Sequence, residues 1–248
     1  MRIFVDNEQI KSNKITITGD DLNHIKNVMR MKVGDILTVC DGKKTDYTCT
    51  IDEINNKSVI LHAIYKTKNT NEPNINLSLY AGLPKSSKKM ELIIQKTVEL
   101  GVDEITFVQT NYSVKKLRDY ADRESRLERF TKISKAAAMQ SKRGIIPTVW
   151  VAHFDDVIEA ICTTEVLCIA LYEAEDENNL KNVLQSNKHF EKIVLFTGPE
   201  GGFSKEEIQE AKKLGIITAS LGSRILKAET AAIVGTAIIM YEFDQMEN

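Results

Sequence analysis

Two short stretches of this chain carry residue types that could hold a nucleoside-like or phosphate-bearing ligand. In the first, Gly198-Pro199-Glu200-Gly201-Gly202, three glycines and a proline fall within five residues. Glycine admits positive φ and lets a ligand approach main-chain N–H and C=O groups closely. Ser204 and Glu207 follow at capping-box spacing, and a helix that starts there presents partial positive charge that a phosphate would complement. The Walker A lysine and the GxGxxG pattern are both missing, which argues against nucleoside triphosphates and dinucleotides. Taken alone, this stretch reads equally well as a tight strand-to-helix turn.

The second stretch, Leu221–Thr230 (LGSRILKAET), shifts that balance. It keeps Ile225 and Leu226 inside an otherwise polar connection, where apolar side chains could grip the flat face of a base while main-chain groups read its edge. Glu229 and Thr230 would open the following helix. Glu229 reads either as a helix-start acid complementing the dipole, or as a group that binds a ribose hydroxyl or orients a substrate base.

Other chemistries find little support. His24, His62, His153 and His189 are dispersed, with no HxxxH or HExxH pair, so no metal is expected. Cys40, Cys49, Cys162 and Cys168 form no CxxC pair, and reduced thiols in a cytosol are the default. No Gly-x-Ser-x-Gly elbow is present, and no cysteine has an evident activating partner. The longest apolar run, Ala231 to Met240, is about half the ~20 residues of a membrane span and reads as a buried helix. The opening MRIFVDNEQI lacks a basic-then-apolar signal pattern, so a cytoplasmic protein is expected.

The elements that must position these loops follow from hydrophobic rhythm. Residues 1–68 are β-rich: Lys14–Thr18, Ile36–Val39, Thr48–Ile51 and Val59–His62 are short β-branched runs. Gly19-Asp20, Gly34-Asp35, Asp41-Gly42 and Asn55-Asn56-Lys57 mark the turns between them. One helix, Asp20 to Met31, interrupts them with Leu22, Ile25, Val28 and Met29 on one face, and strands at this spacing suggest a small barrel. The polar, Asn-rich stretch from Lys66 to Asn76 is the expected domain boundary.

Beyond it strands and helices alternate. Strands are expected at Ile75–Ala81, Ile105–Gln109, Val166–Tyr172, Ile193–Thr197 and Ile217–Leu221. Helices are expected at Lys88–Leu100, from about Asp122 to Met139, and at Asn178–Asn187, Ser204–Leu214 and Glu229–Phe243, with Gly101 and Gly215 as stops. This pattern predicts a mostly parallel sheet covered on both faces. Ligands of such sheets sit beyond the carboxyl ends of the strands, which is where both stretches and the residues after Leu171 fall.

The formal net charge is −2, but it is unevenly spread. Residues 73–143 hold 14 basic against 8 acidic side chains, whereas residues 144–221 hold 6 against 13. A basic segment within an acidic chain reads either as a solvated face with local pairing or as a surface for an anionic partner.

The motifs taken together resemble the RsmE family of SPOUT-class methyltransferases. TGPEGGFSKEEI (197–208) followed by SLGSRILKAETA (220–231) is similar to its C-terminal signature. KTVELGV (96–102), with Ser113 shortly after, looks like its helix-ending motif. RFTKISKAAAMQSKRGIIP (129–147) is similar to its basic helix, with Arg129-Phe130 in place of the usual Arg-Trp pair. HIKNVMRMKVGD (24–35) matches its N-terminal motif, and Arg2 fits its usual opening. The likeness runs nearly end to end. Lys227 stands where the family usually has Arg, keeping the charge but losing the bidentate fork.

The resemblance implies a PUA-like β-barrel over residues 1–70 and an α/β trefoil-knot methyltransferase domain over 73–248. It implies a homodimer that uses S-adenosylmethionine to methylate N3 of a uridine in 16S ribosomal RNA of the small subunit. Carried over, the cofactor site comprises Leu171, Glu173, Thr197, Gly198, Glu200, Gly201, Gly202, Leu221, Gly222, Ile225, Leu226, Glu229 and Thr230. Arg143, Arg224 and Lys227 are the cations that could favour the uridinate by electrostatic preorganisation, and Glu229 is the best available carboxylate if a general base is used. The basic segment then has an RNA-facing rationale in Lys85, Lys88, Lys89, Arg118, Arg123, Arg126, Arg129, Lys132, Lys135 and Arg143. Lys85, Lys88 and Arg143 rank first among these, with Arg2, His24 and Arg30 adding contacts from the barrel. Two other classes remain open: a non-enzymatic RNA-binding or assembly protein, and a SPOUT enzyme that methylates ribose 2′-OH.

Overall fold

The computed structural model describes residues 2–116, 123–161 and 165–246. Arg118, Cys162 and the expected helix start near Asp122 lie outside these residues, as do the side chains of Arg123 and Arg126. The chain forms two compact units, Met1–Glu72 with Ala138–Ile146, and Pro73–Ala137 with Pro147–Asn248.

In the first unit, six strands form one sheet: β1 (Arg2–Phe4), β2 (Ile10–Lys11), β3 (Lys14–Ile17), β4 (Ile36–Cys40), β5 (Thr45–Ile54) and β6 (Val59–Lys68). Their order is β1-β4-β5-β6-β3-β2, antiparallel except where β1 runs parallel to β4. Period-2 alternation turns Leu37, Val39, Cys49, Ile51, Val59 and Leu61 inward, where they pack with Ile3, Ile15, Ile17 and Ile25. The turn signals act through side-chain caps. Asp41 Oδ1 accepts from the Lys43 and Thr45 amides, and Asn55 Oδ1 from those of Lys57 and Ser58.

The expected helix is shorter and changes pitch. α1 (Gly19–Asn23) passes into a π-helical turn, His24–Val28. The wider turn rotates later side chains off the inner face, so Ile25 is buried and Leu22 packs on the core, whereas Val28 and Met29 are 60% and 49% exposed.

The Asn-rich stretch is an anchor, with Asn69 buried. The Asn69 and Asn71 side-chain amides donate to the Lys142 carbonyl at 3.1 and 2.9 Å. The Glu72 carboxylate accepts from the Arg143 guanidinium at 2.7 and 3.2 Å, and from the Gly144 and Ile145 amides at 2.7 and 3.3 Å. Residues 138–146 are thereby secured to the β-rich unit, although sequence reading assigns them to the α/β part.

The second unit contains β7 (Asn76–Gly82), α2 (Ser87–Leu100), β8 (Glu104–Gln109), α3 (Arg123–Gln140, whose last turn joins the first unit), β9 (Thr148–His153), α4 (Phe154–Ile161) and β10 (Leu167–Leu171). It continues with α5 (Leu180–Ser186), β11 (Lys192–Thr197), α6 (Lys205–Lys213), β12 (Ile217–Ala219) and α7 (Ala228–Glu242). The sheet order is β12-β10-β11-β7-β8-β9, and every pairing is parallel. Strands buried on both faces read as continuous apolar runs, as LCIAL in β10 and IVLF in β11 do. Gly101 ends α2 at φ 108°, and the Ser204–Glu207 capping box opens α6. β9 and α4 have no counterpart in the sequence reading. β9 is a partly exposed edge strand, and the chain enters α4 without a glycine or proline to mark the change. Among the described residues no helix is long and apolar enough to cross a membrane.

Candidate functional site: three loops at the carboxyl ends of β10, β11 and β12

Because all six strands are parallel, the loops leaving β7, β10, β11 and β12 emerge at one edge of the sheet. The loop after β11 is the most tightly constrained. Gly202 N donates to Pro199 O at 2.9 Å, closing a turn with Gly202 at φ 71°. Gly198 and Gly201 have no room for a side chain, while Gly202 is required by its positive φ, the Glu173 carboxylate beside it being a flexible chain end. A Cβ on Gly198 would lie 2.9 Å from Gly202 Cα, one on Gly201 2.8 Å from Tyr112 Cβ, and one on Gly202 2.7 Å from Glu173 Oε1. Pro199 lies directly over Gly82, the last residue of β7.

Adjacent loops are tied down by polar contacts. Asn111 N donates to Glu207 Oε1 at 2.7 Å and its side-chain amide to Ser204 Oγ at 3.1 Å, which fixes the Asn111-Tyr112 loop against the start of α6. Behind the loop after β10, buried Glu175 accepts from the Thr218 hydroxyl, the Glu177 and Asn178 amides, and Lys212. The Thr218 hydrogen bond, acting against burial and aided by the two amides and Lys212, holds the Glu175 carboxyl below its usual range. The Leu180 amide donates to Ser220 O and the Ser220 amide to Asn178 O, so this loop and the one after β12 run side by side.

In the loop after β12, Gly222 takes φ 104° and Ile225 is 88% exposed, while Leu226 is half-buried. Glu229, in the first turn of α7, is joined to Glu200 through one cation. Lys89 Nζ lies 3.0 Å from Glu200 Oε1 and 3.1 Å from Glu229 Oε2. The first contact is a hydrogen bond and the second a close ion pair, and apart from Lys89 the buried Glu229 Oε2 has no partner among the described residues. Burial alone would raise both carboxyls. The backbone amides around them and Lys89 outweigh it and hold Glu200 and Glu229 below their ordinary range, with Lys227 adding its charge at Glu229. Lys89 is pushed up by its hydrogen bond to Glu200, against burial, and by Glu229. A second buried oxygen without a partner, Thr197 Oγ1, sits at the end of β11.

Leu171, Glu173, Thr197, Gly198, Glu200, Gly201 and Gly202 thus lie on neighbouring loops, with Leu221, Gly222, Ile225, Leu226, Glu229 and Thr230 on the strand of chain leading into α7. Arg224, Lys227, Lys85 and Lys88 are exposed in the same unit, and the Lys85 amide donates to Glu200 Oε2 at 3.3 Å.

The remaining cations lie elsewhere. Arg2, His24, Arg30 and Arg143 belong to the first unit. Arg143 departs most from expectation. It and Glu72 are 3% and 4% exposed as side chains, because the pair satisfies the backbone of residues 144–145, so its guanidinium is not presented to a substrate. Arg2 is likewise engaged, donating to Asp46 and to the Arg143 carbonyl. Of the basic helix, Arg129 pairs with Glu91 at 2.7 Å.

Sequence reading placed Lys89 among phosphate contacts and gave Gly82, Asn111 and Glu175 no role. For Lys89 a signal existed: a lysine in the first turn of α2 opposes the helix dipole and needs a compensating acid. The others act through contacts between segments far apart in the chain, which leave no local pattern. Among the described residues no group of three or more His, Cys, Asp or Glu side chains is placed to hold a metal.

Comparison with known proteins agrees with this arrangement. The RNA methyltransferase domain family matches residues 70–240, and the RNA methyltransferase PUA domain family matches residues 17–64. The chain is similar to a Bacillus subtilis protein named ribosomal RNA small subunit methyltransferase E, with 32% identity covering 92% of this chain and 90% of that protein. It is similar to a Mesomycoplasma hyopneumoniae protein of the same name, with 35% identity covering 94% and 95%. Among solved structures, a Legionella pneumophila protein described as a methyltransferase in complex with S-adenosylmethionine superposes with a TM-score of 0.86. Its identity is 26%, covering 97% of this chain and 96% of that one.

Proposed function

The chain belongs to the RNA methyltransferase family that joins a PUA domain to a SPOUT-like methyltransferase domain and includes the ribosomal RNA small subunit methyltransferases E, and on that footing we propose that it methylates N3 of a uridine in 16S ribosomal RNA. It is an S-adenosylmethionine-dependent ribosomal RNA methyltransferase of α/β fold. The observation that carries the reading is the cradle of Gly198, Gly201 and Gly202, at whose start Thr197 Oγ1 is buried without a hydrogen-bond partner. Buried polar atoms call for partners, and close main-chain approach suits a nucleoside, so these residues fit S-adenosylmethionine.

When bound, that cofactor supplies a methyl group on sulfonium, an activated electrophile. Leu171, Glu173, Thr197, Gly198, Glu200 to Gly202, Leu221, Gly222, Ile225, Leu226, Glu229 and Thr230 hold and orient it. The protein must then bring an unpaired or extruded uridine to it, because N3 is otherwise occupied in Watson–Crick pairing. Arg224 and Lys227, exposed on the loop before α7, stabilise at the uracil carbonyls the uridinate formed when the N3 proton passes to bulk solvent. Glu229, ionised and held by Lys89, is a weak proton acceptor, so we assign it to the cofactor loops.

We further read residues 1–70 as a PUA-like β-barrel that docks RNA, and 73–248 as a trefoil-knotted catalytic domain. Support for the knot is that α7, arriving from edge strand β12, packs against α2, α5, β7 and β11 in the middle of the sheet. The protein acts in the cytoplasm, in keeping with Cys40, Cys49 and Cys168, which are buried and form no disulfide. It acts as a homodimer, for which exposed Leu92 and Tyr241, on the packed pair α2 and α7, supply apolar surface.

The test is methyl transfer from labelled S-adenosylmethionine to unmodified small ribosomal subunits, with digestion and nucleoside analysis. N3-methyluridine as the sole product is expected. Label in a ribose-methylated nucleoside would remove the substrate assignment, and no label from folded, RNA-binding protein would favour the non-enzymatic reading. In the first unit, Arg30 is exposed and already at φ 53°, so Arg30→Ala changes charge without changing the backbone requirement. It should weaken RNA binding several-fold and reduce the salt slope by about one, leaving cofactor affinity intact. Filter binding across a salt series, paired with cofactor titration, checks this; loss of both affinities would count against an RNA role.

A further inference from the structure

We propose that Lys89 is a positioning residue that latches the two cofactor loops together by holding Glu200 and Glu229 on one ammonium, and that it is not an RNA contact. The inference rests on the methyltransferase reading and adds to it a residue outside the two loop motifs. Glu200 belongs to the turn after β11, and Glu229 to the helix start beyond β12. β11 and β12 are not paired in the sheet, since β10 lies between them. Within the contacts described, Lys89 alone bridges the two glutamates, with 3.0 and 3.1 Å separations.

The placement is unfavourable for any other purpose. Lys88 and Lys89 both occupy the first turn of α2, where the helix dipole repels cations. Lys88 remains exposed, as a phosphate contact would, whereas Lys89 is drawn inward between the acids. The groups facing the two carboxylates are the Lys89 ammonium from α2, the Lys85 amide from the turn before it, and the Lys227 charge from the loop before α7. Of the two lysine side chains, only Lys89 reaches both acids. Without it, two anions at neighbouring loops would repel, and the loops would separate.

The test compares the wild type with Lys89→Met and Lys89→Arg by titration with S-adenosylmethionine from about pH 8 to about pH 5, a window that spans partial protonation of a coupled carboxyl pair. Lys89→Met should bind about tenfold more weakly at the alkaline end, as expected for losing a charge-assisted contact. As pH falls its affinity should recover, because protonating one carboxyl removes the repulsion between the two. Wild-type affinity should stay nearly flat, since Lys89 and the backbone amides keep both carboxyls below their ordinary range and so ionised across the window. Lys89→Arg should restore most of the binding, a guanidinium being able to span two carboxylates. A merely structural lysine would give a pH-independent loss, and that result would overturn the latch.

RNA affinity offers a second readout on the same variants. A latch leaves the salt slope unchanged in Lys89→Met, whereas a phosphate contact would lower it by about one, which would also overturn the proposal. If the wild type itself binds no S-adenosylmethionine, the methyltransferase reading falls and takes the latch with it. If the wild type binds and Lys89→Met binds equally well at every pH, the latch alone is wrong.

Discussion

Gly82→Ala should abolish cofactor binding while leaving most of the protein folded. A Cβ at this position would lie 2.2 Å from the Pro199 nitrogen and 2.6 Å from the Gly198 carbonyl carbon. Both are backbone atoms, so no rotamer change can relieve the overlap. Sideways relief is limited, because Tyr112 Cβ stands 2.8 Å from where a Cβ on Gly201 would lie and so flanks the turn. The whole Thr197–Gly202 segment must retreat from β7, and a displacement near 1 Å can cost about a hundredfold in a site built on positioning. We expect at least that loss in S-adenosylmethionine affinity, with overpacking costing about 1–3 kcal/mol of stability. Gly215→Ala is the control: its Cβ would meet nothing within 4 Å, and its φ of +85° imposes only local strain. That variant should lose about 1 kcal/mol and bind cofactor normally. Calorimetric titration with chemical denaturation separates the two effects, and normal binding by Gly82→Ala would mean that the turn is not the cofactor cradle.

The contrast between Gly82 and Gly198 shows how far this site could be read from sequence. Gly198, Gly201 and Gly202 announce themselves because they cluster between an apolar run and a capping box, each a local pattern. Gly82 ends a strand and stands apart from them; its requirement exists only because a segment more than a hundred residues later crosses it. The parallel sheet was equally legible where strands are fully buried, as in β10 and β11, and illegible at β9, whose exposed edge blurs the apolar signal. The helix expected over Asp20–Met31 ends at Val28, and its face is misjudged beyond Ile25, since a π-helical turn has no sequence signature in a 3.6-residue count.

Charge misled in a related way. Counting basic residues over 73–143 treats each as available, yet Lys89, Arg129 and Arg143 have carboxylate partners supplied by Glu200 and Glu229, Glu91, and Glu72 respectively. Segregation of charge along a chain predicts a surface only for cations left over after pairing, and pairing at long sequence range is a property of the fold. Within that segment Lys85, Lys88 and Lys132 stay exposed, and Arg224 and Lys227 are exposed further along the chain. They share the unit that holds the cofactor loops.

Removing Glu72 should be the most destabilising single change in the β-rich unit. Its carboxylate accepts four hydrogen bonds, two from the Arg143 guanidinium and one each from the Gly144 and Ile145 amides, with both side chains almost fully buried. Taking away one partner of a buried pair leaves an uncompensated charge, at a cost of about 3–5 kcal/mol, and Glu72→Ala also removes the acceptor of the Gly144 and Ile145 amides. Arg143→Met should cost somewhat less, because the remaining carboxylate keeps both amide donors. The double variant Glu72→Leu with Arg143→Met should recover part of the loss, as apolar replacement of buried ion pairs often does. Hydrogen exchange of the β5 and β6 amides is the appropriate readout, since a two-unit chain need not unfold in one step. This outcome bears on catalysis. If Arg143 secures residues 138–146, Arg143→Met should lose RNA methylation in proportion to unfolding of its own unit, with S-adenosylmethionine affinity preserved. A folded, normally protected Arg143→Met that has lost methyl transfer would instead return this arginine to the reacting uridine.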